Sequence, residues 1–339
     1  MTEKHYGGSS SIPAPKSSAD SKMQNKNSQL AKKEKQPEES SIEESLSESQ
    51  IETLKKAGDI AKKAKTFARE IIKPQMSLLE IAEKIESKII ELGGKPAFPV
   101  NLSINEIAAH ATPAYNDEQK ASGLLKIDLG VHIGGFVADT AFSLDLENSE
   151  ENKKLIQTAE ECLLKGVSVF NLNNELKEVG AAIEENAKKN NLQPIINLSG
   201  HSIKEYNLHA GLNVPNYNNN SNIKIEEGIY AIEPFVTTGV GKVIDGKPSG
   251  IYSLEKISPV RDSFARELLA YVLEEYKTLP FCSRWLVKKF GSRALIALRR
   301  LEEANCLHQY PHLVEQSRQK VAQAEHTIII TKNAKIITT

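Results

Sequence analysis

Hydrophobic residues recur at helical spacing in the first well-patterned part of the chain. The earliest series consists of Ile51, Leu54, Ala57, Ala61, Ala64 and Ala68. Ser47 precedes this series with Gln50 three residues on, which is the pairing of a capping box, so a helix is predicted to start here. A second series lies within residues 77–92 and stops at Gly93 and Gly94, which predicts another amphipathic helix.

Helical spacing returns in three later parts of the chain. These are residues 150–170, residues 172–189 and a longer block, residues 262–315. Within that block the pairs Leu279-Pro280 and Tyr310-Pro311 are turn signals, because proline cannot continue a helix. The block is therefore predicted to be a helical unit with internal turns.

A two-residue period replaces the helical one in residues 124–144. There the segment LLKIDLGVHIGGFVADTAFSLDL alternates about Gly134 and Gly135, which predicts a β-hairpin. Strand-like apolar segments recur at residues 195–199, 228–235 and 326–337. The chain is thus predicted to combine helices with several strands.

Residues 1–46 are poor in large apolar side chains and rich in Ser, Lys, Glu, Asn and Gln. Such a segment buries too little apolar area to offset the entropy lost when its chain is ordered. We therefore predict a disordered polar tail. A second interpretation is that Lys32, Lys33 and Lys35 form a basic cluster suited to weak docking on an anionic partner such as the ribosome.

Length, charge and cysteine content narrow the class of protein. The 339 residues suffice for one large mixed domain or two smaller ones. With 43 basic against 44 acidic residues, the chain lacks the charge of a general nucleic-acid or anionic-membrane binder. Cys162, Cys282 and Cys306 form no CxxC pair, so reduced thiols are expected. Neither a membrane span nor a secretory signal is recognisable, which predicts an intracellular protein.

The predicted hairpin places two carboxylates on one face. If the glycine pair forms its loop, Gly130 pairs with Asp139. Asp128 lies two residues from Gly130 and therefore on the same face, roughly 7 Å from Asp139 between backbones. Like charges placed in this way repel each other, and cations between them would remove the repulsion. Two solvated acids on an exposed face are the alternative interpretation.

Further side chains that can bind metals follow downstream. They are His201 and His209 in NLSGHSIKEYNLHAG, Glu233 in GIYAIEPF and Glu325 in AQAEHTIII. Taken singly, such residues are usually ordinary surface or core side chains. Together with the two aspartates they form an oxygen-rich set that suits two divalent ions better than a structural zinc. Two such ions can activate a water and polarise a carbonyl, which indicates a hydrolase.

Five segments, in order, closely resemble those of type 2 methionine aminopeptidases, in particular the archaeal form. They are AFPVNLSINEIAAH, KIDLGVHIGGFVADTA, LSGHSIKEYNLHAG, YAIEPFVTTGVGKVIDGKPSGIYS and QAEHTIII. The resemblance implies an α+β pita-bread fold, in which a curved antiparallel sheet is flanked by helices around a dinuclear metal site. Residues 47–339 would form the catalytic domain, interrupted by a helical, winged-helix-like insertion at residues 262–315.

The resemblance also implies a set of metal ligands. The family's ligand positions match Asp128, Asp139, His201, Glu233 and Glu325. Asp128 would hold one ion, Asp139 and Glu325 would bridge both, and the other two residues would complete the second site. Glu233 would also carry a proton between water and the leaving amine.

Three other residues match substrate-contacting positions of the family. His110 resembles the residue that contacts substrate and that reacts with epoxide inhibitors. His209 resembles the residue that hydrogen-bonds the substrate carbonyl. Phe98 resembles a wall of the pocket for the methionine side chain, whose flexible thioether tolerates an irregular apolar pocket. Ile251 stands where some relatives have histidine.

These resemblances predict a cytoplasmic, monomeric enzyme that removes the initiator methionine from nascent chains, with a preference for a small second residue. Two divalent ions, drawn from cobalt, manganese, iron and zinc, are the expected cofactors. Nascent N-termini are the expected partners. The basic residues of the insertion, including Lys288, Lys289 and Arg293, raise the possibility of nucleic-acid binding, but no specific nucleic acid and no membrane partner are expected.

Two alternatives are left open. The first is a proline-directed relative of the same fold, an Xaa-Pro aminopeptidase or prolidase. Those enzymes usually carry a folded N-terminal domain, which residues 1–46 are too short and too polar to supply. The second is a non-catalytic interaction protein on the same fold, as the proliferation-associated relatives are. Such proteins have lost metal ligands, whereas all five ligand positions hold an acid or a histidine here.

Overall fold

Helices and strands alternate through the computed structural model, which describes residues 46–339. The helices are α1 (Glu48–Ile71), α2 (Leu78–Glu91), α3 (Glu150–Val169), α4 (Leu176–Lys189), α5 (Ser263–Glu275), α6 (Ser283–Phe290) and α7 (Arg293–Glu303). The strands are β1 (Lys95–Pro96), β2 (Asn101–Ile104), β3 (Ile107–Ala109), β4 (Leu124–Ile133), β5 (Phe136–Asp145), β6 (Gln193–Pro194), β7 (Ser199–Ile203), β8 (Asn213–Pro215), β9 (Gly228–Ile232), β10 (Phe235–Thr237), β11 (Val243–Leu254), β12 (Phe281–Cys282), β13 (Leu307–Glu315), β14 (Val321–Gln323), β15 (His326–Ile330) and β16 (Lys335–Ile337).

The capping box predicted at Ser47 begins α1. The Ser47 hydroxyl accepts a hydrogen bond from the Gln50 backbone N–H at 3.3 Å, and the Gln50 side chain accepts one from the Ser47 N–H at 2.8 Å. The tail predicted for residues 1–46 lies outside the described residues except for Leu46, which packs with Ile51 against a core cluster. The four helices predicted before residue 190 are confirmed in place and type.

Antiparallel pairing joins the described strands into four sheets. In the first, β4 pairs with β5 along one edge and with β1 and β2 along the other. The fourth has the order β16-β15-β9-β7-β8. The other two are β14-β10-β6 and β12-β11-β13-β3.

The β4–β5 hairpin has the predicted register. Ile133 pairs with Phe136 across the glycine loop, and Gly130 pairs with Asp139. Its apolar face, which includes Ile127 and Leu129, packs with α1 and α2 in one buried cluster. Because side chains alternate between faces, Asp128 and Asp139 project from the other side of the sheet.

A seam of hydrogen bonds joins β5 to the segment from β14 to β15. Thr327 Oγ1 accepts from the Asp139 N–H at 2.7 Å and donates to the Asp139 carbonyl at 2.9 Å. Thr140 Oγ1 donates to the Glu325 carbonyl at 2.9 Å. Ser143 Oγ donates to the carbonyl of the next residue along this seam, Gln323, at 2.8 Å. The seam therefore fixes the backbone positions of Asp139 and Glu325, two acids that are far apart in the sequence.

The strand predicted for residues 195–199 is wrong over most of its length. Pairing stops at β6, resumes only at Ser199, and leaves a turn between them. The Asn197 side chain fills this gap, since its Oδ1 accepts from the Val243 N–H at 2.9 Å and its Nδ2 donates to the Val243 carbonyl at 2.8 Å. An amide side chain thus replaces a strand partner and bends the chain.

The end of the block predicted to be helical is also different. Residues 262–303 contain three helices, but Leu307–Glu315 is the strand β13. The predicted turn at Tyr310-Pro311 lies inside this strand. Pro311 fits there because it faces Pro248 of β11 at a register shift, where the missing N–H removes no ladder bond. The boundaries of the predicted insertion, 262–315, stay a prediction.

The three helices α5, α6 and α7 pack around a buried apolar cluster of their own. Cys162, Cys282 and Cys306 are buried free thiols, as expected from the sequence. Within residues 46–339, no helix is both long and apolar enough to cross a membrane.

Candidate metal centre

Acidic and histidine side chains from four strand regions converge on one buried site. Asp139 of β5, His201 of β7 and Glu325, which lies between β14 and β15, place ligand-capable atoms within 4.8 Å of one another. Glu233, which follows β9, reaches the same place, because its Oε1 lies 3.7 Å from His201 Nε2. His201 Nε2 is also 3.8 Å from Asp139 Oδ2. Residues far apart in sequence therefore meet around one small volume.

Asp128 joins this group through Gln323 of β14. The Gln323 side-chain amide donates to Glu233 Oε2 at 3.4 Å and also hydrogen-bonds Asp128. Gln323 is almost completely buried. The sequence reading overlooked this residue, although it lies two positions before Glu325 and hence on the same side of an extended segment.

Burial and repulsion between carboxyl groups dominate the electrostatics of the cluster. Burial raises the pKa of Asp128 to about 7, and the hydrogen bond from Gln323 opposes the rise. Burial, with repulsion from neighbouring carboxylates, holds the pKa values of Asp139, Glu233 and Glu325 well above their usual range. Four carboxyl groups so close together cannot all ionise unless positive charge is supplied.

The cluster fits divalent metal ions by an observation independent of charge. Three buried oxygens in it, Asp128 Oδ1, Asp139 Oδ1 and Glu325 Oε2, accept no hydrogen bond from the described residues. Buried polar atoms are normally satisfied, so open acceptors that point into a carboxylate cluster indicate ligand positions. Carboxylate oxygens with one imidazole are a donor set that first-row divalent ions accept.

The histidines of the site are held neutral. Burial, with repulsion from His209, lowers the pKa of His201 to about 3. A neutral imidazole retains the lone pair that a metal ion requires. The His209 ring lies edge-on to that of His201 with a centroid separation of 4.4 Å, and burial lowers its pKa as well.

His110 follows β3 on another side of the site. Its φ of 61° is left-handed, a conformation uncommon outside glycine and frequent at active sites. Burial, with repulsion from His209, lowers its pKa to about 4. Its Nδ1 lies 3.3 Å from the Pro311 carbonyl. A carbonyl only accepts, so in this neutral ring Nδ1 carries the proton and Nε2 presents a lone pair.

Phe98 lies against the sheet face that carries the carboxylates. It packs on Gly130, where an added Cβ would come within 2.4 Å of the Phe98 ring. Only glycine allows this approach, and Gly130 pairs with Asp139. The ring therefore borders the acidic cluster, as a pocket wall would. Tyr310 of β13 is a second aromatic residue nearby, edge-on to His110 at 5.3 Å, and the sequence reading overlooked it.

Comparison with known proteins assigns the chain to a family. The family model described as metallopeptidase family M24 matches residues 52–332. A methionine aminopeptidase of Pyrococcus abyssi is 50% identical over 294 residues, which is 85% of this chain and 99% of that relative. The chain belongs to metallopeptidase family M24. The predicted class, a metal-dependent peptidase, is thereby confirmed.

Solved structures agree with the M24 fold. A methionine aminopeptidase from Rickettsia prowazekii matches with a TM-score of 0.63 at 20% identity, over 87% of this chain and 99% of that one. A thermophilic Arx1 matches with a TM-score of 0.74 at 16% identity, over 86% of this chain and 91% of that one. These likenesses concern the fold alone, and they confirm the predicted α+β pita-bread architecture.

The raised pKa of Asp128 gives this M24 protein a testable pH dependence. We expect Asp128→Asn to stabilise the metal-free protein, relative to wild type, by an amount that grows as the pH rises from about 4 to about 7. Asp128 has a pKa of about 7 in the folded state against 3.8 as an isolated group. Between these values the folded wild type binds more protons than the unfolded chain, so its stability falls with rising pH.

Urea unfolding in the presence of chelator, at several pH values, measures this difference. Histidine and lysine contributions are shared by the two proteins and cancel in the comparison. The difference reports Asp128 together with the part of the neighbouring carboxyl pKa shifts that its charge causes. A stability difference that is constant with pH, or that shrinks as the pH rises, would show that Asp128 does not titrate abnormally in the folded state.

Proposed function

We propose that this M24 protein is a methionine aminopeptidase that removes the initiator methionine from new protein chains. The observation that carries the proposal is the buried cluster of Asp139, His201, Glu233 and Glu325, joined to Asp128 by Gln323. The 50% identical relative from Pyrococcus abyssi supports the substrate, since it bears that name. The substrates are therefore peptides and proteins with a free N-terminal methionine, and a small second residue is the preferred neighbour.

Five residues hold two divalent ions in this proposal. They are Asp128, Asp139, His201, Glu233 and Glu325. Asp139 and Glu325 would supply carboxylates shared by the two ions, and both have ligand-capable atoms within 4.8 Å of one of His201. Asp128, Asp139 and Glu325 each have a buried carboxylate oxygen without a hydrogen bond, which supports this assignment. The identity of the ions, among cobalt, manganese, iron and zinc, depends on supply and relative affinity.

When bound, the two ions polarise the scissile carbonyl and make a water nucleophilic at neutral pH. The protein contributes the proton transfers. Glu233 is suited to this role, because Oε2 is fixed by Gln323 while Oε1 faces the cluster. Its carboxylate can therefore take a proton from the attacking water and return it to the leaving amine.

His110 and His209 bind the substrate rather than the ions. The unprotonated Nε2 of His110 accepts a hydrogen bond from a substrate N–H, which orients the peptide across the cluster. His209, beside His201, donates to the scissile carbonyl oxygen as negative charge develops there. Phe98 forms a wall for the methionine side chain, whose thioether packs well against an aromatic ring.

We expect His110→Ala and His209→Ala to lower kcat/KM by about 10²- to 10³-fold while both ions stay bound, because each removes a single substrate hydrogen bond. Peptide kinetics and metal analysis on the same samples check this. His326→Ala is a matched control, since this histidine bonds Thr339 through Nδ1 and has no role in the proposal. Loss of metal from the His209 variant would mean that His209, and not His201, is the ligand.

Peptide specificity separates this function from its two alternatives. Purified, metal-loaded protein is given Met-Ala-Ser and Ala-Pro-Ser in parallel. A methionine aminopeptidase cleaves the first peptide and leaves the second intact. Cleavage of Ala-Pro-Ser alone would indicate a proline-directed peptidase. Cleavage of neither peptide would indicate a non-catalytic interaction protein. The five ligand positions present in this chain argue against that outcome, since such proteins have lost metal ligands.

The remaining predictions concern partners and location. We propose that the substrates are nascent N-termini, that the protein is a cytoplasmic monomer, and that it binds no specific nucleic acid. Weak contact with the ribosome through residues 1–46 is proposed from the basic cluster of that segment alone. Analytical ultracentrifugation tests the monomeric state, and cosedimentation with ribosomes tests the ribosome contact.

A further inference from the structure

Lys126 is a buried lysine beside the candidate metal centre. It lies in β4 two residues before Asp128, so both side chains are on the same face of the strand. Only 1% of Lys126 is exposed, and it is among the largest fully buried side chains of the described chain. The amine of a lysine is costly to remove from water, so its retention in a core calls for a role.

The Lys126 ammonium group bridges two backbone carbonyls from different parts of the chain. Its Nζ donates to the Asn105 carbonyl at 2.8 Å and to the Val321 carbonyl at 2.9 Å. The Asn105 carbonyl also accepts from the Val321 N–H at 3.1 Å. Burial lowers the pKa of the Lys126 amine to about 7, and the two carbonyl acceptors favour its charged form. The three segments therefore meet at one point, where this amine faces two carbonyl oxygens.

Each of the bridged segments leads directly to a residue of the proposed active site. Asn105 lies in the turn between β2 and β3, and β3 ends next to His110. Val321 begins β14, which carries Gln323 and ends two residues before Glu325. Lys126 itself is two residues from Asp128 on β4. Its ammonium group thus connects the supports of a substrate contact and of two proposed ligands.

Asn105 lies at a tight turn that is hydrogen-bonded to β4. Its φ is 51°, in the left-handed region. Its side-chain Oδ1 accepts from the Leu124 N–H at 2.9 Å, and its own N–H donates to the Leu124 carbonyl at 2.9 Å. The turn is therefore attached to β4 by Leu124 on one side and by Lys126 on the other. Lys126 adds a side-chain bond to the Val321 carbonyl beside the backbone bond that already joins Val321 to Asn105.

We propose that Lys126 is a positioning residue, whose amine links backbone carbonyls on two other segments, sets the spacing of β3, β4 and β14 and so aligns His110, Asp128 and Glu325. Charge-assisted hydrogen bonds are about twice as strong as neutral ones, which is why an ammonium group suits two carbonyls that a neutral side chain would hold less firmly. This inference rests on the proposed function, because the residues that it aligns are those of the proposed site.

Three variants test the proposal. Lys126→Met keeps much of the buried volume and removes the charge, Lys126→Ala leaves space for a small amine, and Lys335→Met is the control. Lys335 makes the same type of contact elsewhere, since its Nζ donates to the Val167 carbonyl at 2.8 Å and to the Ser168 carbonyl at 3.4 Å. The readouts are the dissociation constant for Mn²⁺ by calorimetry, kcat and KM for Met-Ala-Ser, and the thermal midpoint.

Both Lys126 variants are expected to bind Mn²⁺ about 10- to 100-fold more weakly, the scale found for partners that orient metal ligands. The value of kcat should fall more than KM rises, because misalignment affects the reacting geometry. Methylammonium should restore activity and Mn²⁺ affinity to Lys126→Ala, whereas tetramethylammonium, which has no N–H, should not. Lys335→Met should resemble wild type in Mn²⁺ affinity and turnover.

Two results would overturn the proposal. One is a Lys126→Met protein with unchanged Mn²⁺ affinity and kcat. The other is a loss of Mn²⁺ affinity and kcat that parallels a loss of thermal stability in both variants and that methylammonium does not reverse in Lys126→Ala, which would assign Lys126 to folding alone. Failure of the proposed function is a separate outcome, because wild-type protein would then release no methionine from Met-Ala-Ser. The Mn²⁺ dissociation constants of wild type and variants would still test the role of Lys126.

Discussion

Glu325→Ala is expected to lose metal loading at the paired site and, with it, turnover of methionyl peptides. Glu325 is 1% exposed. Its carboxylate lies in the same cluster as the carboxylates of Asp139 and Glu233. Two divalent ions in a buried site need its negative charge, since electrostatic interactions there are only weakly screened. Metal content after equilibration with divalent ions, together with methionine release, measures both losses.

The fold should survive this substitution. Repulsion from its neighbours raises the pKa of Glu325 in addition to burial, so removal of the carboxyl group relieves a strain of the metal-free cluster. Circular dichroism checks that the variant is folded. Glu91→Ala is the control, because that carboxylate is exposed and pairs only with Lys88 at 2.8 Å among the contacts described. A Glu325→Ala protein with two ions and near-normal turnover would show that Glu325 is not a ligand.

Glu86→Ala is expected to destabilise the protein by about 3–5 kcal/mol, the usual cost of removing one partner of a buried ion pair. Glu86 of α2 accepts two hydrogen bonds from the Arg284 guanidinium of α6, both at 2.7 Å. Trp285 Nε1 donates to it at 2.8 Å and the Val100 N–H at 3.2 Å. Without Glu86, the buried Arg284 charge would lose its counterion, and α6 would lose its main polar link to α2.

Urea unfolding measures this loss, with Glu91→Ala as the exposed control, for which a change below about 1 kcal/mol is expected. The double variant Glu86→Leu, Arg284→Met should recover much of the stability, since it leaves no buried charge unpaired. An equal loss for Glu86→Ala and Glu91→Ala would show that the buried pair contributes no more than a surface pair does.

The register of the β4–β5 hairpin and the convergence of its two aspartates could be predicted because both are local properties. A two-residue period and a glycine pair determine which residues face each other. Nothing else is needed to place Asp128 and Asp139 on one face. His201, Glu233 and Glu325 could be assigned only by resemblance, because their approach depends on pairing between strands far apart in sequence.

The features that sequence reasoning overlooked depend on long-range contacts of single side chains. Lys126 and Gln323 look like ordinary polar residues of strands, and their importance arises from partners about 195 and 90 residues away. Asn197 ends a predicted strand for the same reason, since its side chain bonds Val243. In β13, pairing with β11 outweighs the turn signal of Pro311, because the proline faces a register shift.

Methionine release from Met-Ala-Ser, by the same protein sample first treated with chelator and then restored with Co²⁺ or Mn²⁺, is the decisive measurement. The predicted result is no release after chelation and full release once two ions per chain have been bound. Release that persists in the chelated, metal-free protein would contradict the metal-dependent chemistry, and the absence of release from fully loaded protein would contradict the assigned activity.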